Sequence, residues 1–211
     1  SALIKSKVGE AGGLTCTSSN ARKIMQEAKN SGKKIFFLPD WCLGTNMAKS
    51  IGLSSTTIGK TGDFRSYDVI CFNGFCSVHQ LFEVSSIIFY REKYAGIKIA
   101  VHPECRPEVC DMADFVGPTS QIIEYVKALP LEQKVAIGTE FNLVNRLRKE
   151  NTYVLSSTAP LCPSMGETTI EDLHTLLSNM KEGSYKNEVF VEERVAKGAK
   201  LALDRMMEAS F

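Results

Sequence analysis

The chain has 211 residues, enough for one large or two small domains with cores of their own, and its 25 basic and 24 acidic residues leave a formal charge of only +1. That balance offers no basic face to nucleic acid or to an anionic membrane, so an anionic ligand must be held by local donors. The longest apolar runs are strand-sized, short of a bilayer span, and the first residues do not read as a signal peptide, so the expectation is a soluble, intracellular protein.

Residues 1–7 read as the start of a helix, and Gly9, Gly12 and Gly13 make a turn before a short strand, Leu14-Thr15-Cys16. Thr17-Ser18-Ser19-Asn20 then leads into the amphipathic pattern ARKIMQEAKNSG, which stops at Gly32. The strongest strand, residues 34–38, ends at Pro39-Asp40, and residues 41–50 follow as a helix. A second alternating stretch passes Thr57 and Ile58, and a strand over 67–72 opens into the loop that carries Cys76 and His79. The helical pattern LFEVSSIIFYREKY brings the chain to residue 97.

Ile97, Ile99 and Val101 close a β-branched strand that breaks at His102-Pro103-Glu104, because proline has no amide for a ladder. A short polar helix, the run Ala113-Asp114-Phe115-Val116-Gly117 and Pro118 come next, with Thr119 or Ser120 expected to cap the helix IIEYVKAL. In parallel α/β sheets, strand C-termini and following helix N-termini share one edge, so His102, Glu104 and Thr119 are expected on the ligand-binding edge. There a histidine and a carboxylate suit proton transfer, and free helix amides suit a carboxylate or phosphate. A capped turn with no site is the competing reading of His-Pro-Glu.

The two halves repeat. KKIFFLPDWCLG from Lys33 and QKVAIGTEFNLV from Gln133 keep strand, acid and helix in step at a displacement of 100 residues, as do the segments around Ser18 and Thr119. The repeat predicts that a twin of the 97–101 strand precedes residue 1, so the chain reads as truncated. Each copy also delivers one cysteine, Cys76 or Cys162, to a strand-to-helix loop. Equivalent thiolates suggest a soft metal on an axis between copies, and a third copy would bring a third thiolate. Two unrelated loop cysteines are the alternative.

Of the seven cysteines, an odd number without a short CxxC pair, Cys71 and Cys110 read as core, while Cys16, Cys42 and Cys105 near strand ends stay open. Asp40 and Glu140, at repeat-related strand ends, either orient helix amides or line the site, with the structural role the favoured one, and Trp41 reads as partly buried packing and His174 as a solvated residue. Val191, Val195, Ala199, Ala202 and Met206 form an apolar stripe on a C-terminal helix.

The motifs as a set, Cys16-Thr17-Ser18, Phe37-Leu38-Pro39-Asp40 with Leu43-Gly44, Cys76-x-Val78-His79, Val101-His102-Pro103-Glu104-Cys105, Ala113 to Gly117 with Thr119, Ile137 to Glu140, and Cys162-Pro163-x-Met165, resemble the quinolinate synthase family. The resemblance implies an α/β fold of pseudo-symmetric, repeated three-layer αβα units with short parallel sheets, two of an expected three. These would be residues 1–95 and 96–183, with a C-terminal helix over 184–211. It implies a [4Fe-4S] cluster with Cys76 and Cys162 as ligands, His102, Glu104 and His79 as catalytic residues, and Ser18, His102, Pro103, Glu104 and Thr119 as substrate-binding residues.

The implied activity is a transferase of NAD biosynthesis, cytoplasmic or plastid, that condenses iminoaspartate with dihydroxyacetone phosphate. L-aspartate oxidase would be its supplier, and an absent N-terminal domain would pack on this chain. No nucleic acid or membrane partner is expected. A Tyr-x-Asn motif and the first domain are missing from the family pattern, so the chain alone is expected to be inactive. Met165 stands where some relatives carry a cysteine, so no redox switch is expected there. Another iron–sulfur hydro-lyase and a cluster-free anion-binding subunit remain the competing readings.

Overall fold

The computed structural model describes residues 1–60 and 62–210. Its contacts divide the chain into two compact units, one of residues 16–161 and one of residues 1–15 with 162–211.

The larger unit holds two parallel sheets. The first contains β1 (Ile35–Phe37), β2 (Ser55–Thr57) and β3 (Val69–Cys71) in the order β1-β3-β2, with Ile35 beside Val69 and Thr57 beside Cys71. The second contains β4 (Lys98–Val101), β5 (Phe115–Val116), β6 (Val135–Gly138) and β7 (Thr152–Val154) in the order β5-β4-β6-β7. The helices between them are α2 (Ala21–Asn30), α3 (Trp41–Ser50), α4 (Val84–Lys93), α5 (Pro107–Asp111), α6 (Thr119–Ala128) and α7 (Phe141–Leu147).

Successive residues of a strand face opposite ways, and the second sheet uses both faces. Ile99, Val101 and Ala136 pack with Ile87 of α4 and Val109 of α5, whereas Ala100, Val135 and Ile137 pack with Ile122 of α6 and Val144 of α7. This is the three-layer αβα arrangement. On the first sheet, Phe37, Val69 and Cys71 pack against Met25 of α2 and Leu43 of α3, while Phe36 on the opposite face is 57% exposed.

The repeat is visible in the pairing. β1 lies beside β3 as β6 lies beside β7, so β3 and β7 are structural twins, and β2 is an extra edge strand on the first sheet. Trp41 donates its backbone N–H to Gly74 O at 2.8 Å, and Phe141 donates to Pro160 O at 3.1 Å. Each acceptor stands two residues ahead of a cysteine, Cys76 or Cys162. Asp40 and Glu140 are the matching helix N-caps, accepting from Leu43 N and Leu143 N. The structural role read for both acids is their observed one.

In the smaller unit, α1 (Ala2–Glu10) lies against α10 (Glu193–Ser210), with α8 (Pro163–Gly166) and α9 (Ile170–Lys181) between them in sequence. Small residues allow the close approach: Ser6, Gly9, Gly198, Ala199 and Ala202 are buried, and a Cβ on Gly9 would collide with Gly198 O. Arg205 ties the contact by donating to Gly9 O and Gly13 O at 2.8 Å each.

Leu14-Thr15-Cys16 is not a strand, contrary to the sequence reading. Thr15 N donates to Ala202 O at 3.1 Å, so a helix carbonyl takes the bond a sheet neighbour would have used.

Candidate active site

Three strand ends of the larger unit meet at one cluster. After β4, His102 N donates to Gly138 O at 3.0 Å, and Cys105 N closes a turn on His102 O at 3.0 Å. Pro103 is fully buried inside that turn. Asn46 of α3 clamps it from the other side, donating through Nδ2 to Pro103 O and Cys105 O at 2.8 Å each.

After β3, the chain is drawn against Pro39-Asp40. A Cβ at Gly74 would come within 2.5 Å of Pro39 O, so only glycine permits this approach. Asp40 then receives the Cys76 N–H at 2.9 Å on one carboxylate oxygen and the Leu43 N–H at 2.7 Å on the other. Cys76 is half-buried, and His79 opens the 3-10 turn His79–Leu81. After β6, buried Thr139 places Oγ1 at 3.3 Å from His79 Nε2.

Between these ends, His79 and His102 stack with ring centroids 4.5 Å apart and 14° from parallel. Glu104 Oε2 lies 3.0 Å from His79 Nδ1 and 3.9 Å from His102 Nδ1. The closer contact is a charge contact without hydrogen-bond alignment, since buried His79 Nδ1 has no hydrogen-bond partner. His102 Nδ1 accepts the Glu104 N–H at 3.3 Å, which places the proton of the neutral ring on Nε2. Cys76, His79 and Glu104 each offer a donor atom, all within 4.8 Å of one another, and the group could hold a metal ion.

The environment separates the protonation states. Burial alone would lower the His79 pKa, but the Cys76 thiol and the Glu104 carboxylate beside it raise it to about 9. Burial lowers the His102 pKa and the charge on His79 adds to this against Glu104, leaving it at about 4. The neighbouring His79 imidazole outweighs burial and holds Cys76 below the ordinary thiol value. Burial would raise Glu104, but His79 and His102 bring it below its ordinary value. Near neutrality the cluster therefore offers a carboxylate, a protonated imidazole and a neutral imidazole within a few ångströms.

Ser18 and Thr119 fall outside this cluster. Ser18 is half-buried in the turn before α2, and no hydrogen bond among the described residues joins it to the histidines. Thr119 does not cap α6. It is the first helical residue, exposed, with Pro118 as N-cap and no side-chain cap, because the N–H of Gly117 bonded to Val101 O sets Pro118 at the helix entry. The first-turn amides of α6 thus carry no side-chain cap. Cys162 belongs to the smaller unit, where it is the half-buried N-cap of α8. A cavity of about 300 Å³ elsewhere in the larger unit is lined by Tyr90, Phe141, Asn145, Arg148 and Thr158 among others, and holds none of the predicted site residues.

Sequence reasoning gave no role to Thr139 or Asn46. Thr139 sits at a strand end on the ligand edge, which was the available signal, whereas the bonds from Asn46 span more than fifty residues and have no local signature.

The family model described as "Quinolinate synthetase A protein" matches residues 1–208. A "Quinolinate synthase" of Helicobacter pylori (strain HPAG1) is 53% identical over 215 residues, covering 99% of this chain and 64% of the relative. Those of Acidobacterium capsulatum and Rhodopirellula baltica are 42% and 37% identical, each over 98% of this chain and over 60% and 57% of their own lengths. The chain thus spans less than two thirds of the length of these relatives. Among the described residues no helix is long and apolar enough to cross a membrane. With a family match running over nearly its whole length, the chain belongs to the quinolinate synthetase A family.

Proposed function

We propose that this chain is the larger part of a quinolinate synthase of NAD biosynthesis, which joins iminoaspartate to dihydroxyacetone phosphate with loss of phosphate and two waters. The observation that carries the reading is the convergence of Cys76, His79, His102 and Glu104 at strand ends, in a chain whose relatives carry that name. The remaining third of the relatives' length would supply a third αβα unit with its own cysteine.

The residues fit a soft metal centre. Cys76 has a depressed pKa at a half-buried loop, and the unpartnered Nδ1 of His79 leaves a buried polar atom facing the same space. Cys76 and Cys162 would be two thiolate ligands of a [4Fe-4S] cluster. When bound, its open iron supplies Lewis acidity toward a carbonyl or hydroxyl oxygen.

The protein groups supply proton transfer and charge. Glu104 is ionised at neutral pH and acts as the base that removes a proton from a substrate carbon or nitrogen. His79 holds a proton to return to a leaving hydroxyl, and His102 presents Nε2–H to a substrate oxygen. The uncapped first turn of α6, with the Thr119 hydroxyl, together with Ser18, would bind carboxylate or phosphate. A cytoplasmic or plastid location and supply of iminoaspartate by L-aspartate oxidase complete the reading.

The test is quinolinate formation by the upstream-extended protein after anaerobic cluster reconstitution, with Glu104→Gln beside it. Quinolinate from the parent, and a loss of at least about 100-fold in Glu104→Gln, is the expected result, on the scale of a positioned acid–base group. A reconstituted protein that makes no quinolinate would overturn the reading.

A further inference from the structure

We propose that the cavity beside β7, outside the strand-end cluster, is a binding site for a small planar aromatic carboxylate. The proposal does not rest on the quinolinate synthase reading and uses none of the residues assigned to the cluster or to its substrates.

The cavity exists because the second sheet is one strand narrower on this side than its twin. In the first sheet β2 covers the outer edge of β3, whereas β7, the twin of β3, is the last strand of its sheet. All three residues of β7 line the cavity of about 300 Å³ along that edge. This volume is at the small end of ligand pockets and suits a molecule of one or two rings.

The edge rejects another strand. In the first sheet the bonds across to the β2 segment include Val69 N–H to Ser54 O and Ile58 N–H to Cys71 O, each at 3.0 Å. The counterparts of Val69 and Cys71 are Thr152 and Val154, which pair with Val135 and Ile137 as Val69 and Cys71 pair with Ile35 and Phe37. Both counterparts are satisfied locally. Thr152 donates its N–H to Lys149 O at 3.0 Å, and Val154 O accepts the Tyr90 hydroxyl at 2.9 Å. Strand addition draws its affinity from such main-chain bonds, so a peptide would have to break both to pair here. The space is left to recognition of a smaller molecule.

Its walls set the chemistry. On the α4 side, Tyr153 and Tyr90 form an aromatic wall with ring centroids 5.7 Å apart. On the α7 side stand Phe141, Asn145 and Arg148. Arg148 follows the last turn of α7, and its guanidinium has no hydrogen bond or ion pair among the described residues. Beyond β7, a loop closed by Thr158 N–H on Ser156 Oγ at 3.2 Å brings Ser157 and Thr158 to the cavity. The Val154 N–H points to the same edge as its carbonyl, and no acidic side chain is among the lining residues.

A free guanidinium among neutral donors calls for an anion, and its planar fork matches a carboxylate. With a single cation in the lining, one negative charge is matched and two are not. The rings call for a planar apolar body. Benzoate is the simplest molecule with both features.

The test follows backbone amide shifts of the isotope-labelled 211-residue chain during titration with benzoate. One site with a dissociation constant of about a millimolar is expected, as a ligand of this size gives, with shifts centred on Val154, Ser157 and Thr158. Benzamide keeps the ring without the charge, and cyclohexanecarboxylate keeps the charge without the π-face. Each should bind at least about threefold more weakly. Arg148→Gln should weaken benzoate about tenfold, and Arg148→Lys by less, since lysine keeps the charge without the fork. Circular dichroism checks the fold of both variants, and the upstream-extended protein should bind benzoate as the 211-residue chain does.

Shifts centred on the His102 or Thr119 amides would place the anion at the strand-end cluster and overturn the proposal. So would unchanged affinity in Arg148→Gln, no binding by the parent, or binding lost in the upstream-extended protein, where the added unit would then cover the edge. None of these outcomes depends on whether quinolinate is made.

Discussion

The rings of His79 and His102 lie face to face at 4.5 Å, and at neutral pH only His79 carries a positive charge. Two imidazolium ions at that distance would repel strongly, and Glu104, 3.0 Å from His79 and 3.9 Å from His102, selects the site of the charge. A single positive charge, held on His79 and kept off the ring stacked on it, is therefore the electrostatic basis of the site.

Histidine resonances in a pH titration of the metal-free chain should show midpoints near 9 for His79 and near 4 for His102. In His79→Gln the His102 midpoint should rise, because a positive neighbour is gone, while burial keeps it below the ordinary histidine value. A His102 midpoint that does not move would separate the two rings electrostatically.

Stability should follow the same groups. His79 is raised above its unfolded value near 6.5, so its contribution is fully present below that pH and is lost as pH rises through about 9. His102 is lowered, so the unfolded chain binds more protons between about 4 and 6.5, and stability should fall as pH drops through that window. Urea unfolding midpoints across pH for the parent and His79→Gln test both slopes, and the alkaline loss should be smaller in the variant.

Asp40 joins the Cys76 loop to α3 through two backbone N–H groups. Asp40→Ala removes a helix cap and leaves a second amide without its acceptor, so a loss of about 2–3 kcal/mol is expected in urea unfolding. Asp40→Asn keeps a capping oxygen but presents an amide toward one of the two N–H groups, and should fall between parent and alanine.

Asn46 donates to two backbone carbonyls of the His102–Cys105 turn and lies 3.3 Å from Cys110 Sγ. Asn46→Ala should cost about 2 kcal/mol and speed amide exchange at Cys105. Asn46→Asp should not restore stability at neutral pH, since its carboxylate would face the same acceptors. Rescue by aspartate would mean that the clamp is not made by Nδ2 donation.

Much of the larger unit was legible because its strands are buried parallel strands, which read as short apolar runs, and because a strand ends where Pro39 or Pro103 removes a donor. The displacement between Lys33 and Gln133 located β1 and β6, α3 and α7, and the paired caps Asp40 and Glu140. The strand expected at Leu14 to Cys16 was not legible, since the bond that decides it comes from Ala202, far along the chain. The cap expected at Thr119 failed for a local reason: Pro118 already holds the entry geometry, with the hydroxyl one position inside the helix.

At the site, sequence supplied the residue types and the edge but not their mutual orientation. That His79 stacks on His102 and turns Nδ1 toward Glu104 follows from the 3-10 turn at His79 and from Thr139 at the end of β6. Neither is encoded near His102 itself. The division of the chain into residues 16–161 and the remainder likewise depends on the long-range packing of α1 on α10.

The most direct test of the central claim is iron and sulfide per chain in the upstream-extended protein after anaerobic reconstitution, with Cys76→Ser and Cys162→Ser alongside. The account predicts about four of each in the parent, as a four-iron cluster requires, and loss in both variants. A full complement retained in either variant would contradict the pairing of the two strand-end cysteines on one cluster.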